Sequence, residues 1–366
     1  MEKKRYFALG VTVLLWAALA LGLWFGPRKD ISEGERRPLA QMPALSGQTL
    51  LSGSFMEKFE DFTLDQFPLR DSFRRIKSLF HSYVLGQRDN NGIYLSDGFA
   101  VKQEYPLNEE SLDHAMDRFG YLYEKYLAPA GSRAFFAVAP DKGCYLAEKA
   151  GQLALDYDAL FSRLEEGLPW AQQIDLRGSL CAEDYYRTDT HWRQEKLPET
   201  AGVICEALGV TAPEPEEFRA EAVERPFYGV YYGQAALPME PETMYFLRSD
   251  LLDGCRVYDY EAGKYGPVVD LSRQDSRDLY DIFLSGSRSL LTIENPAGTP
   301  GKELLVFRDS FGSSLVPLLV SDYARVTLVD IRYIQIDMLP RFLEFTGQDV
   351  LFLYSTLVLN NSETIK

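Results

Sequence analysis

Histidine is the scarcest reactive side chain in this sequence: only His81, His114 and His191 occur in 366 residues. A stable metal centre wants three or four ligands, and His81 and His114 sit in unrelated helical patterns, which leaves His191 without imidazole partners. Cysteine is nearly as sparse. Cys144, Cys181, Cys205 and Cys255 lie far apart with no Cys-x-x-Cys pair, which excludes a zinc knuckle and a dithiol redox motif while allowing one disulfide. Cys205 falls in an apolar helical pattern and reads as a small core residue. Positive charge is also in deficit. Lys and Arg number 38 against 54 Asp and Glu, a formal net charge of -16, so the cation excess needed to track a phosphate backbone is missing and nucleic acid is not a partner. No internal repeat is present, and no cofactor motif is legible. AGTPGK (297–302) has the wrong spacing for a phosphate loop and precedes a strand instead of following one, so it is a turn.

What the chain does have is a globular composition, 46% hydrophobic, and enough length for one large α/β domain or two smaller ones. MEKKR is followed by an uncharged apolar run from Tyr6 to Gly26, which at about 1.5 Å per helical residue is long enough to cross a hydrocarbon core of about 30 Å. Lys3, Lys4, Arg5 and the amino terminus outweigh Arg28 and Lys29, which favours an inside N-terminus and an extracytoplasmic body. Ala18-Leu19-Ala20 has the small-x-small pattern of a cleavage site, but the run continues through Trp24 and Phe25, so residues 1–26 are expected to be an uncleaved transmembrane anchor in the cell membrane rather than a cleaved signal. Residues 27–54, rich in Pro, Gly, Ser and charge, read as a tether, and 55–366 as the folded domain.

Two amphipathic helices are expected first, one striped by Phe55, Phe59 and Phe62, the other by Phe73, Ile76, Leu79, Phe80 and Tyr83 and ended by Gly86. GIYLSDGFAV predicts a hairpin around Ser96-Asp97-Gly98. RAFFAVAP, QQIDLR (172–177), ELLVFR (303–308), RVTLVD (325–330) and DVLFLY (349–354) are short apolar runs suited to strands covered on both faces. Helical patterns near 108–127, 156–167, 199–208, 312–322 and 334–345 alternate with them, which predicts an α/β fold with a parallel sheet flanked by helices. Residues 211–295 break the rhythm and read as an insertion of irregular or β structure. Within it, Tyr228, Tyr231 and Tyr232 suit either a stacking platform for sugar rings or a local core.

In an open parallel sheet, ligands gather at the carboxyl ends of the strands. ELLVFR delivers Asp309-Ser310-Phe311-Gly312 to such an end, ahead of an apolar helical stretch, with backbone N–H groups nearby for an oxyanion. A serine hydroxyl is a poor nucleophile until a base takes its proton, and histidine suits that work near neutrality. In YYRTDTHW (185–192), Asp189 stands two residues before His191 and could hold its tautomer. The spacing admits three readings: a catalytic dyad serving Ser310, part of a metal site, or a turn at a helix start. Beyond the next strand, Arg332 and Tyr333 face the same edge and suit either ligand positioning or a helix start and a core aromatic; Trp192 suits a wall of the site or packing beneath the loop.

DQFPLRDSF, NGIYLSDG, YYRTDTHW, LLVFRDSFGSSLVPLL, VDIRY and DVLFLY together resemble the DHHW family of bacterial membrane-anchored proteins, related to the SGNH-hydrolase-like domains of alginate O-acetyltransferases. The resemblance runs from about residue 35 to 356 and weakens through 211–270. It implies an SGNH-like three-layer parallel sheet, a triad of Ser310 as nucleophile, His191 as base and Asp189 as orienting carboxylate, and acetyl transfer to a cell-surface glycan beside a membrane-bound O-acyltransferase. Trp192, Gly312, Arg332 and Tyr333 are the candidate substrate contacts. Transferase and esterase differ here only in the acceptor. The other class of protein compatible with the fold is a non-catalytic envelope protein that binds glycan or scaffolds an acyltransferase. Two features depart from common SGNH hydrolases: the serine comes after the Asp-x-His pair, and Arg308 replaces the glycine of Gly-Asp-Ser, with no glycine and asparagine matched to the oxyanion hole.

Overall fold

The computed structural model describes residues 2–32, 34–212 and 214–366. It divides into two compact units, one of residues 1–91 with 230–239 and one of 92–229 with 240–366. The smaller unit begins with helix α1, Glu2–Phe25. Its stretch Lys3–Phe25 has a mean hydropathy of 2.1 and no buried residue, so it is long and apolar enough to span a membrane. Helix α2, Ser54–Asp65, buries Phe62, and helix α3, Arg70–Leu79, continues as a wider π-helical turn over Phe80–Val84. Gly86 then takes a φ of 65°, the left-handed geometry that ends the helix at no steric cost. Within residues 27–54, Arg37 makes two hydrogen bonds to Asp65 of 2.8 and 2.6 Å, which fasten this segment to the end of α2.

The larger unit is built on eight strands: β1 Ala134–Ala139, β2 Ala171–Asp175, β3 Arg256–Asp259, β4 Lys264–Gly266, β5 Leu290–Glu294, β6 Thr299–Arg308, β7 Tyr323–Val329 and β8 Asp349–Ser355. Their order is β4-β3-β5-β7-β6-β8-β1-β2. The run from β7 to β2 is parallel throughout, while β5, β3 and β4 extend one edge antiparallel. Strand alternation explains the three layers. Phe135, Ala137 and Ala139 face one core with Val306, Leu351 and Leu353; Ala134, Phe136 and Val138 face the other with Phe307, Val350 and Phe352. Helix α4, Pro198–Leu208, covers the first face through Ala201, Ile204 and Leu208. The second is covered by Glu109–Leu122 and Tyr157–Gly167 through Leu112, Phe119, Leu160 and Leu164. At about 25 cal/mol per Å² of apolar surface, these two faces are the main source of stability.

The parallel strands lie where the apolar runs predict them, and Ile93–Ser96 pairs with Phe99–Lys102 as the expected hairpin. Three expectations need correction. The helix near 312–322 is a four-residue turn, Gly312–Leu315, followed by a 3-10 turn over Val316–Leu319 that contains Pro317. The region 334–345 holds only the 3-10 turn Ile336–Arg341, because Pro340 within it lacks the N–H an α-helix would need. The stretch 211–295 is not wholly an insertion: β3, β4 and β5 come from it and join the main sheet, with β5 pairing to β3 and β7 over long sequence separations that periodicity does not report.

Candidate active site

Parallel strands end together, so β1, β6, β7 and β8 all deliver their following residues to one rim: Asp141-Lys142, Asp309-Ser310, Asp330 and Ser355-Thr356. At that rim Ser310 is partly exposed and Asp309 fully buried. Asp309 shapes the turn by accepting from Phe311 N–H at 3.0 Å and from Ser355 N–H at 2.7 Å. The backbone N–H of Ser310 has no acceptor among the described residues, which leaves it free to donate to an oxyanion. Gly312 N–H is already spent on Asp309 O at 3.2 Å.

The loop carrying Asp189 and His191 is closed at its base by an antiparallel bridge between Tyr185 and Trp192. Tyr186 N–H donates to His191 O at 3.1 Å. Glu242, which sequence reasoning missed, lies buried beneath: its carboxylate accepts from the N–H groups of Arg187 and Thr188 and from the Thr188 hydroxyl, each at 2.9 Å. From the other side, buried Lys142 donates from Nζ to the carbonyls of Tyr186 and Arg187 at 2.9 and 3.3 Å. Gly229 presses on the same loop so closely that a Cβ there would stand 2.2 Å from Thr188 O, and its N–H donates to the Thr188 hydroxyl at 2.9 Å. A loop clamped at this many points is rigid without regular secondary structure.

That rigidity aims two side chains. His191 Nδ1 lies 2.7 Å from Asp189 Oδ1, and His191 Nε2 lies 2.9 Å from Ser310 Oγ. Asp189 is fully buried and His191 nearly so. The carboxylate accepts from Nδ1–H, so the neutral ring presents the lone pair of Nε2 to the hydroxyl. The imidazole is stacked on Tyr280 with centroids 3.9 Å apart and planes 10° from parallel, and Phe311 flanks it at 5.1 Å. Tyr280 OH bonds Ser314 Oγ at 2.6 Å, and burial pushes its phenol well above the ordinary range, so it stays neutral. Tyr280 comes from the irregular stretch and carries no sequence signal.

The other candidates fare differently. Trp192 is fully buried and donates from Nε1 to Phe311 O at 3.1 Å and Ser314 Oγ at 3.0 Å; it ties the two loops together from beneath and has no face left for a ligand. Gly312 packs against the Arg308 side chain, whose Cβ would be 2.9 Å from an added Cβ. Arg332 is committed to Asp330 at 2.9 and 2.7 Å, bonds that outweigh its burial and keep its guanidinium charged. Tyr333 is 52% exposed. His114 bonds Ile365 O at 3.1 Å. No cluster of three or more metal-ligating side chains occurs among the described residues.

Arg308 is the costliest residue of the rim. It is buried, donates to Asp309 O at 3.2 Å, and has Asp330 4.0 Å away as its counter-charge; burial lowers its pKa. Truncating one partner of a buried ion pair strands the other, unless a second counter-charge stays in place to neutralise it. Asp330→Ala is therefore expected to lower stability by about 3–5 kcal/mol, and Arg308→Met by about 1 kcal/mol or less since Arg332 still neutralises Asp330. Urea midpoints of the two variants check the order; equal losses would overturn it.

Lys142 gives a pH signature. Burial drives its pKa down from 10.5 to about 7, against the pull of Asp189, Glu242 and Asp141. Between about pH 7 and 10.5 the unfolded chain holds more protons at this position, so stability rises with pH there, by at most about 1.4 kcal/mol per pH unit, and the penalty is complete below pH 7. Lys142→Met is expected to flatten this rise in denaturation midpoints measured from pH 7 to 9.5. An unchanged slope would assign it to another group.

The family model described as DHHW protein matches residues 162–329, which include Asp189, His191 and Ser310. The chain carries a DHHW region. A DHHW family protein from Eubacterium siraeum superimposes with a TM-score of 0.62 at 22% identity, over 76% of this chain and 95% of that one. Bacillus cereus PatB1, solved with a sulfonyl adduct, gives 0.56 at 15% identity, over 75% and 96%. The O-acetyltransferase domain of Pseudomonas putida AlgJ gives 0.45 at 14% identity, over 74% and 92%. Among curated proteins none matches.

Proposed function

We propose that the chain is a membrane-anchored, extracytoplasmic serine enzyme that moves an acyl group, acetyl in the first instance, to or from a cell-surface glycan. The observation that carries this reading is the hydrogen-bonded line from Asp189 through His191 to a partly exposed Ser310. In the first step Ser310 Oγ adds to the acyl carbonyl of a donor ester while its proton passes to His191 Nε2. The bond to the donor alcohol breaks, that alcohol leaves with the proton, and Ser310 holds the acyl group as an ester. An acceptor hydroxyl then gives its proton to Nε2 and attacks, and Ser310 takes the proton back as it departs. Asp189 stabilises the imidazolium in both steps, and Ser310 N–H faces the developing oxyanion. A glycan hydroxyl as acceptor makes this a transferase; water makes it an esterase. A membrane-bound O-acyltransferase is the partner that would bring acyl groups across to it.

The sulfonyl adduct on PatB1 suggests the direct test. A sulfonyl fluoride or fluorophosphonate should label the full chain once, at Ser310. Wild-type chain that stays unlabelled, or a Ser310→Ala variant that labels equally, would leave a glycan-binding or scaffolding role in place of catalysis.

A further inference from the structure

The smaller unit carries an exposed apolar helical face besides α1. The side chains of Leu69, Phe73, Ile76, Phe80, Tyr83 and Val84 follow the 0, 4, 7, 11, 14, 15 spacing of one helical face and are all exposed, from 44% at Phe73 to 76% at Tyr83. Apolar side chains on one stripe, this large and this uncovered, need an occupant. Charge points to which. Between Leu69 and Arg88 there are five cations, Arg70, Arg74, Arg75, Lys77 and Arg88, and one carboxylate, Asp71, a net of +4 in a chain of net -16. Position points the same way. A Cβ at Gly22 of α1 would stand 2.8 Å from Pro68, just ahead of α3, and Lys29 pairs with Asp71 in the first turn of α3 at 4.0 Å. Trp24 meets Phe59 with ring centroids 6.2 Å apart, and the Arg28 guanidinium sits 4.6 Å from the Phe62 ring. The basic, apolar-faced helix therefore starts at the level where α1 ends. Beside it lies a cavity of about 610 Å³ lined by Phe67, Phe73 and Lys77, where Arg70 and Arg74 pair with Glu35 at 2.6 and 3.2 Å, so Arg75 and Lys77, both exposed, are the cations left facing outward on this helix.

Resting on the anchor reading above, we infer that residues 69–85 lie in the interface of the membrane that α1 spans, with the apolar stripe among acyl chains and the exposed Arg75 and Lys77 on anionic phospholipid headgroups. The occupant is a lipid surface and not a protein. Full-length chain carrying Cys144→Ser, Cys181→Ser and Tyr83→Cys, labelled with a small fluorophore and reconstituted in vesicles containing phosphatidylglycerol and a nitroxide phospholipid, tests it. Quenching at position 83 is expected to exceed that of a Glu165→Cys control about threefold or more and to weaken when phosphatidylcholine replaces phosphatidylglycerol or when Lys77→Glu is added. Quenching at position 83 equal to the control, in chain that withstands an alkaline wash, would overturn this inference alone. Chain released by the wash would overturn the anchor and this inference together.

Discussion

Ser310→Ala is expected to lower acetyl-ester turnover by the full-length chain by at least about 10³-fold and to remove covalent labelling, with urea unfolding unchanged. The size follows from the chemistry of the line. Without Oγ there is no acyl-enzyme, and His191 is left to activate water directly, with only the oxyanion donor and bound substrate retained. Stability is expected to hold because, among the described residues, Ser310 Oγ has His191 as its one side-chain hydrogen-bond partner, whereas the turn itself is held by the neighbouring Asp309 through the N–H groups of Phe311 and Ser355. Turnover within tenfold of wild type would remove Ser310 from the mechanism; a large loss with a shifted urea midpoint would assign it to folding instead.

How much of this was legible depends on the range of the interaction that fixes each part. The parallel strands come from short apolar runs, a local signal, and the rule that ligands meet the carboxyl ends of such strands then singles out Asp309-Ser310. Asp189 and His191 are two residues apart, so their pairing is also local. The clamps are not. Glu242 reaches Arg187 and Thr188 from 55 and 54 positions away, and Tyr280 stacks on His191 from a stretch with no periodicity. Lys142 was within reach: it follows the apolar run of β1, and a lysine at the end of a doubly covered strand has to find acceptors or lose its charge. Trp192 shows the limit of reading by proximity. Standing next to His191 in sequence, it points the opposite way, into the core, because neighbours along an extended backbone alternate faces.

Asp189→Asn is expected to cost about 10³–10⁴ in kcat/KM with the fold intact, the largest effect of any change that leaves every atom position in the site filled. In the proposed mechanism the carboxylate does two jobs. One Oδ1 accepts both from the His191 backbone N–H at 3.1 Å and from Nδ1–H at 2.7 Å, fixing the ring's direction and its tautomer together; and its charge stabilises the imidazolium formed when Ser310 gives up its proton. An amide can turn its NH₂ towards Nδ1, which forces the proton to Nε2, where the ring donates to Ser310 Oγ instead of accepting from it, and it carries no charge in either orientation. Full burial sharpens the loss, since no solvent can take over the lost charge at a site with no exposed surface. A role confined to holding the loop would leave activity near wild type in this variant, because Glu242 and Lys142 grip the loop through backbone atoms at Tyr186, Arg187 and Thr188 that the substitution does not touch. Sulfonylation rates measured alongside urea midpoints separate the two: slow labelling with an unchanged midpoint assigns Asp189 to the proton transfer, and labelling at the wild-type rate overturns that role.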